Sequence, residues 1–121
     1  MAVIDHEHRA RSAWPAGRPH VVGRLRGLSI VLPCHDEAEN VERTIDEATA
    51  AGELVADAHE ILVVDDGSTD ATREIAEARA AEDPRVRVLV HEVNRGYGAA
   101  LRTGFAAAFS RRYGGSARWT R

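Results

Sequence analysis

Three short apolar runs, at residues 28–32, 61–64 and 86–90, each give way to a loop of acids, amides or glycines and then to a segment of helical period. That alternation confines the chain to one class of architecture. Runs of four or five residues rich in Val, Ile and Leu suit strands buried on both faces of a parallel sheet. After the first run, Ala38, Val41, Ile45 and Ala48 recur at helical spacing, with Asp36, Glu37 and Glu39 near the start, where the helix dipole favours acids. After the second come Ala71, Ile75 and Ala78, and after the third Ala100, Leu101, Gly104, Phe105, Ala108 and Phe109. Gly52 is the expected end of the first helix, Thr69 or Asp70 the cap of the second, and Asp83-Pro84 its break. The order predicts an α/β fold of three parallel strands alternating with helices, joined by right-handed crossovers. It amounts to half of a doubly wound, Rossmann-like nucleotide-binding sheet.

The flanks read differently. Residues 1–26 carry Pro15, Gly17, Pro19 and Gly23 without a sustained apolar period, which predicts a disordered leader. Residues 110–121, Arg- and Gly-rich, show neither period and predict an irregular tail. The folded part is then 27–109, a single domain, as expected for 121 residues. No stretch of ~18 apolar residues occurs, and charges at Asp5, Glu7, Arg9 and Arg11 interrupt any secretory h-region. Cys34 is the single cysteine, which excludes an internal disulfide and predicts a reducing, cytoplasmic setting.

Charge is divided along the chain. Residues 1–26 balance at +3 and residues 110–121 at +4, whereas 27–109 hold seven basic and 17 acidic residues, a balance of −10. An acidic middle argues against a nucleic-acid-binding domain, which needs a basic face to neutralise phosphates. The basic ends are either solvated tails or a means of peripheral contact with an anionic membrane at its inner face. All 16 basic residues are Arg, so any mechanism that requires a lysine is excluded.

In open α/β sheets ligands bind beyond the carboxyl ends of the strands. Here the three strand ends carry Pro33-Cys34-His35-Asp36-Glu37, then Asp65-Asp66-Gly67-Ser68-Thr69-Asp70, then Asn94-Arg95-Gly96-Tyr97-Gly98. Each loop alone has a plain explanation: acids favour a helix start, Gly67 permits a turn, Asp70 caps. Paired carboxylates ending an apolar strand, however, cost desolvation and mutual repulsion that a turn does not require. The glycines of the third loop allow a ligand to approach the backbone at a helix N-terminus, where phosphate is attracted. No dinucleotide fingerprint is present, since Leu101 stands where the third glycine belongs. His35 reads as an ordinary loop histidine, His6 with His8 as a weak metal pair, and Cys34 as no nucleophile.

Three blocks in order, 29–40, 60–70 and 94–104, resemble family 2 glycosyltransferases, in particular the polyprenyl-phosphate mannosyl- or glucosyltransferase branch similar to dolichol-phosphate mannose synthase. The resemblance covers roughly 28–109. It implies the N-terminal half of a three-layer GT-A fold and a UDP- or GDP-sugar donor. It implies further that Pro33, His35 and Glu37 line the base and ribose pocket, that Asp65 and Asp66 both belong to the nucleotide-sugar site with Asp66 bonding the base, and that Asn94 and Gly96 lie toward the diphosphate. Where the family usually has Tyr-Asn, this chain has His35-Asp36, which adds a charge near an anionic ligand. The resemblance also implies a polyprenyl phosphate acceptor and a Mg²⁺ or Mn²⁺ ion held by an Asp-x-Asp motif. The chain has no acid after Glu92, so neither metal ligands nor catalytic residues are expected in it. It reads as the N-terminal piece of a longer enzyme, truncated or frameshifted after Phe109.

Other classes fit less well. The run 61–66 also resembles the acidic first-strand end of a phospho-receiver domain, but no later phosphoacceptor Asp and no Lys follow. An EF-hand reading of 66–77 meets Ala71 where the loop needs glycine and a strand where it needs a helix. A sugar-1-phosphate nucleotidyltransferase would place a Gly-rich basic loop after the first strand, where acids stand here. A non-catalytic remnant that keeps the donor half-site remains open.

Overall fold

The computed structural model describes residues 1–5 and 23–114, with side chains through residue 108. Its strands are β1 (Ala2–Asp5), β2 (Leu25–Cys34), β3 (Ala56–Asp66) and β4 (Val86–His91). Its helices are α1 (Val41–Val55), α2 (Thr72–Glu82) and α3 (Tyr97–Gly114). The sheet order is β1-β2-β3-β4, with β2, β3 and β4 parallel and β1 antiparallel to β2.

Strand periodicity assigns the layers. On β2 and β3, Leu28, Ile30, Leu32, Ile61 and Val63 face α1 and α2, where they meet Val41, Ile45, Ala48 and Ala76. The alternate residues Val31, Leu62 and Val64 face α3, packing on Ala100 and Ala108. Each such fully buried Val, Leu or Ile contributes about 1.5–3 kcal/mol, and among the described residues the α1/α2 face holds more of them. The α3 face compensates by proximity. A β-carbon on Gly104 would lie 2.3 Å from Val31 Cγ1, so only glycine lets the helix come so near.

Four expectations change. Part of the supposed leader is ordered: β1 pairs Ala2 with Val31 and Ile4 with Ser29, and β2 already begins at Leu25. Four residues are too few to display a period, yet Ala2 and Ile4 pack on the α3-side core and β1 covers backbone groups of β2 that would otherwise form an edge. α1 runs past Gly52 to Val55, because Gly52 serves packing instead: its β-carbon would lie 2.5 Å from the His59 ring. α2 buries Thr72 and Ala76 and leaves Ala71 and Ala78 exposed, one position round from the expected face. α3 continues as helix through Gly114, five residues into the expected irregular tail beyond Phe109. Residues 6–22, which include His6 and His8, and residues 115–121 lie outside the described residues.

At the end of the sheet where β2 begins, Arg24 gathers the exit of α1. Its Nε lies 2.9 Å from Asp57 Oδ1, and its terminal nitrogens donate to the carbonyls of Leu54, Glu53 and Ala56. These are carbonyls that a helix end leaves without intrahelical partners.

Candidate functional site

The parallel register brings the strand ends level: Cys34 pairs with Asp65, and Asp66 with His91. The three loops that follow therefore meet at one edge. The first two are laced to each other by side chains. Asp36, in the left-handed region at φ 51°, turns its Oδ1 to the amides of Thr69 (2.8 Å) and Asp70 (3.3 Å), while its own N–H donates to Ser68 Oγ at 2.9 Å. The Glu37 amide donates to Thr72 Oγ1 at 2.7 Å, and the Ala38 amide to Asp70 Oδ2 at 3.2 Å. Asp70 Oδ1 accepts from the Thr72 amide and hydroxyl, so it caps α2 from one residue before the formal cap. The Thr72 hydroxyl in turn holds the Asp70 carboxyl below its ordinary pKa, despite a smaller opposing effect of burial.

The second and third loops touch through backbone. Gly67 sits at φ 69°, and a β-carbon there would lie 2.4 Å from the Asn94 nitrogen. Beside it Asp66, 4% exposed, accepts at Oδ1 from His91 Nδ1 and the Arg95 amide and at Oδ2 from the Gly96 amide, all at 2.8 Å. Burial alone would raise the Asp66 pKa. The Arg95 amide, the His91 ring and the Gly96 amide outweigh it and hold the carboxyl below its ordinary value. His35 stands against all three loops: Nδ1 donates to the Asp66 carbonyl at 2.9 Å, the Asn94 side-chain nitrogen lies 3.1 Å from that same atom, and Nε2 lies 3.3 Å from Asp36 Oδ2.

The result is a cleft of about 290 Å³, walled by Pro33, Cys34, His35 and Glu37 on one side and by Asp66, Asn94, Gly96, Tyr97 and Ala100 on the other. Its size lies at the lower end for small-molecule sites. Six of the seven residues singled out in the sequence, Pro33, His35, Glu37, Asp66, Asn94 and Gly96, line it together. Asp65 does not. Strand alternation places it with Ile61 and Val63 on the α1/α2 face, where it is 2% exposed and its Oδ1 has no hydrogen-bond partner among the described residues.

Two roles also differ from expectation. The Asp36 carboxylate faces the amides of the second loop, so its Oδ1 fastens loops together instead of standing against a ligand. The Arg95 and Gly96 amides are held by Asp66, so an anion at the start of α3 meets the amides that follow Gly96. Of the Asp66 lone pairs, three of about four accept protein donors, which leaves one for a ligand.

His91 and Thr103 escaped the sequence reading. His91 Nε2 lies 2.7 Å from Thr103 Oγ1, completing a chain from α3 to Asp66. The available signal was a histidine closing an apolar strand beside one that ends in acid, since a buried imidazole needs partners. Burial first, then Glu37 and Asp65, push the Cys34 thiol up to about 11, which leaves it neutral.

No group of three His, Cys, Asp or Glu side chains among the described residues is gathered so as to hold a metal ion. Asp66, the best-placed carboxylate, is already engaged by three donors, so the residues present do not fit a divalent cation. Among the described residues no helix is long and apolar enough to cross a membrane.

A three-layer α/β sandwich with a polar cleft at its strand ends defines the open, mostly parallel α/β class, in which ligands bind beyond the carboxyl ends of the strands. Residues 29–113 match the model of glycosyl transferase family 2, and the chain belongs to that family. Among curated proteins it is 41% identical over 83 residues to the undecaprenyl-phosphate 4-deoxy-4-formamido-L-arabinose transferases of Yersinia pestis (strain Pestoides F) and Yersinia pseudotuberculosis (serotype O:3, strain YPIII). Each match covers 67% of this chain and 25% of the relative, so the chain spans about a quarter of their length. Among solved structures it resembles the mannosyltransferase PcManGT from Pyrobaculum calidifontis, in complex with GDP-Man and Mn²⁺. That likeness has a TM-score of 0.58 at 24% identity over 83% of this chain and 30% of the other. It establishes the fold as the N-terminal portion of a GT-A architecture.

Proposed function

We propose that this chain holds the nucleotide of a UDP- or GDP-sugar in the cleft beyond β2, β3 and β4, within an enzyme that transfers a hexose to a polyprenyl phosphate. The observation that carries the reading is the convergence of Pro33, His35, Glu37, Asp66, Asn94 and Gly96 on that one cleft. In the transfer, an oxygen of the lipid phosphate attacks the anomeric carbon and the nucleoside diphosphate departs with the electrons of the broken bond. The names of the relatives favour a polyprenyl phosphate acceptor, and the GDP-Man in the structural neighbour favours a nucleotide-sugar donor.

The chain's own share is recognition. Pro33 and His35 offer flat surfaces for a base, Glu37 and Asn94 offer polar groups for base and ribose, and the remaining lone pair of Asp66 can accept from a base N–H. The reading assigns acceptor binding and the divalent ion to parts of a longer enzyme, in keeping with a chain that spans about a quarter of its relatives' length. It places that enzyme in the cytoplasm, peripheral at the inner face of the membrane, in keeping with the basic residues at both ends of the chain. By itself the chain is then a binding half-site without turnover, favoured by the lack of a ligating cluster among the described residues.

Calorimetry with GDP, UDP and their sugars, with and without Mn²⁺, tests this. Saturable binding of one nucleotide, indifferent to the ion, is expected. Binding of neither would sink the reading, and transfer to a polyprenyl phosphate by the isolated chain would contradict the division of labour.

A further inference from the structure

Beneath the cleft, His91 and Thr103 form a polar pair that the cleft lining does not include. His91, 5% exposed, closes β4 directly opposite Asp66. Its Nδ1 lies 2.8 Å from Asp66 Oδ1 and its Nε2 lies 2.7 Å from Thr103 Oγ1. A carboxylate oxygen only accepts, so Nδ1 carries a proton and donates it to Asp66. A ring held at both nitrogens cannot rotate, and the carboxylate it holds is fixed in turn. That carboxylate takes the Arg95 and Gly96 amides, one on each oxygen. Those amides form the bend at Gly96, φ 98°, from which α3 departs. Thr103 lies further along the same helix, so the bonds close a ring: third loop, α3, Thr103, His91, Asp66 and back to the third loop.

The ring has a consequence for the cleft, because Asn94, Gly96 and Tyr97 on its wall belong to the segment so held. Burial alone obliges a histidine to find partners for both nitrogens; what bears on the cleft is that one partner is on α3 and the other is the carboxylate that holds the Arg95 and Gly96 amides. We propose that His91 and Thr103 are positioning residues: through Asp66 they set where the third loop stands against a bound nucleotide. This deepens the nucleotide reading above and rests on it.

The test uses the full chain and two variants, Thr103→Val, which keeps shape and removes the hydroxyl, and Thr103→Ser, which restores it. Two quantities are measured: hydrogen exchange of individual amides by NMR without ligand, and the Kd for GDP and UDP. With Thr103→Val the Arg95 and Gly96 amides should exchange roughly three- to tenfold faster, and nucleotide binding should weaken by about the same factor, the scale of one lost hydrogen bond. The amides of residues 61–64 should keep their wild-type rates, and Thr103→Ser should recover both properties. Wild-type exchange and affinity in Thr103→Val would overturn the proposal, as would equal acceleration of the 61–64 amides, which marks general loosening. Faster exchange confined to Arg95 and Gly96, in a wild-type background that binds neither nucleotide, would uphold the ring and reject the nucleotide reading instead.

Discussion

A β-carbon on Gly104 would stand 2.3 Å from Cγ1 of Val31, inside the distance at which two carbons can coexist. The contact joins the middle of α3 to a fully buried residue of β2, so relief requires the helix to shift away from the sheet. Gly104→Ala should therefore destabilise the protein by about 1–3 kcal/mol through overpacking, even though alanine is the better helix former. Urea denaturation of the two proteins measures the difference, and an unchanged or raised midpoint would contradict the packing.

Asp36 gives a test of the lacing between the first two loops. Asp36→Ala removes the acceptor for the Thr69 and Asp70 amides, while Asp36→Asn retains an oxygen in the same place. The alanine variant should become more sensitive to limited proteolysis within 67–71 and bind nucleotide roughly three- to tenfold more weakly, as expected for losing one or two hydrogen bonds. The asparagine variant should stay near wild type. If both variants match the wild type, the charge of Asp36 and its bonds are immaterial to the cleft.

Stability should depend on acid pH in one direction. Asp66, Asp70 and Asp83 all titrate below their ordinary value of 3.8 in the folded protein. For Asp66 the hydrogen bonds outweigh burial, for Asp70 the Thr72 hydroxyl leads, and for Asp83 the Arg85 side chain leads. The unfolded chain therefore takes up these protons first as pH falls. Their contribution is complete above the unfolded pKa and is lost as pH drops through the lower folded values. Unfolding free energy measured by denaturant should begin to decline below about pH 5 and fall more steeply below about pH 4. Asp66→Asn should shallow that decline, and an equally steep one would show that Asp66 is not a contributor.

Cys34 offers a chemical probe of the cleft floor. With its thiol raised to about 11 by burial, Glu37 and Asp65, almost none is thiolate at pH 8. Iodoacetamide should label the native protein far more slowly than the protein in 6 M guanidinium, by roughly a hundredfold or more given the thiolate fraction. Native labelling as fast as denatured labelling would mean that the cysteine is neither buried nor flanked by these acids.

The parts of the fold that could be read from sequence are those where burial repeats. Residues 28–32 and 61–64 are apolar at nearly every position because both faces of their strands are covered, and such a run has few other uses. β1 was invisible since Ala2-Val3-Ile4-Asp5 makes sense only beside β2. The offset of α2 has a similar origin: its alanines are equally apolar on every side, and the position of Thr72 beneath the first loop decides which face turns inward. At the site, residue types announced polar loops at one edge, and six of the seven residues named are there. By residue type alone Asp65 and Asp66 look equivalent; the resemblance gives the base bond to Asp66, but that Asp65 leaves the site altogether follows only from which face of β3 looks toward α3. His91 and Thr103 are distant in sequence from the loops they steady, so only the register of β3 with β4 connects them.

Arg24 binds the exit of α1 to the threshold of β2 and to Asp57 in a single knot. Shortening the chain from its N-terminus consequently has a sharp boundary. A version starting at Arg24 forfeits β1 yet keeps the knot, whereas one starting at Leu25 leaves three α1-end carbonyls and Asp57 without their shared cation. Truncation at the far end of the sheet from the cleft thus turns on a single side chain.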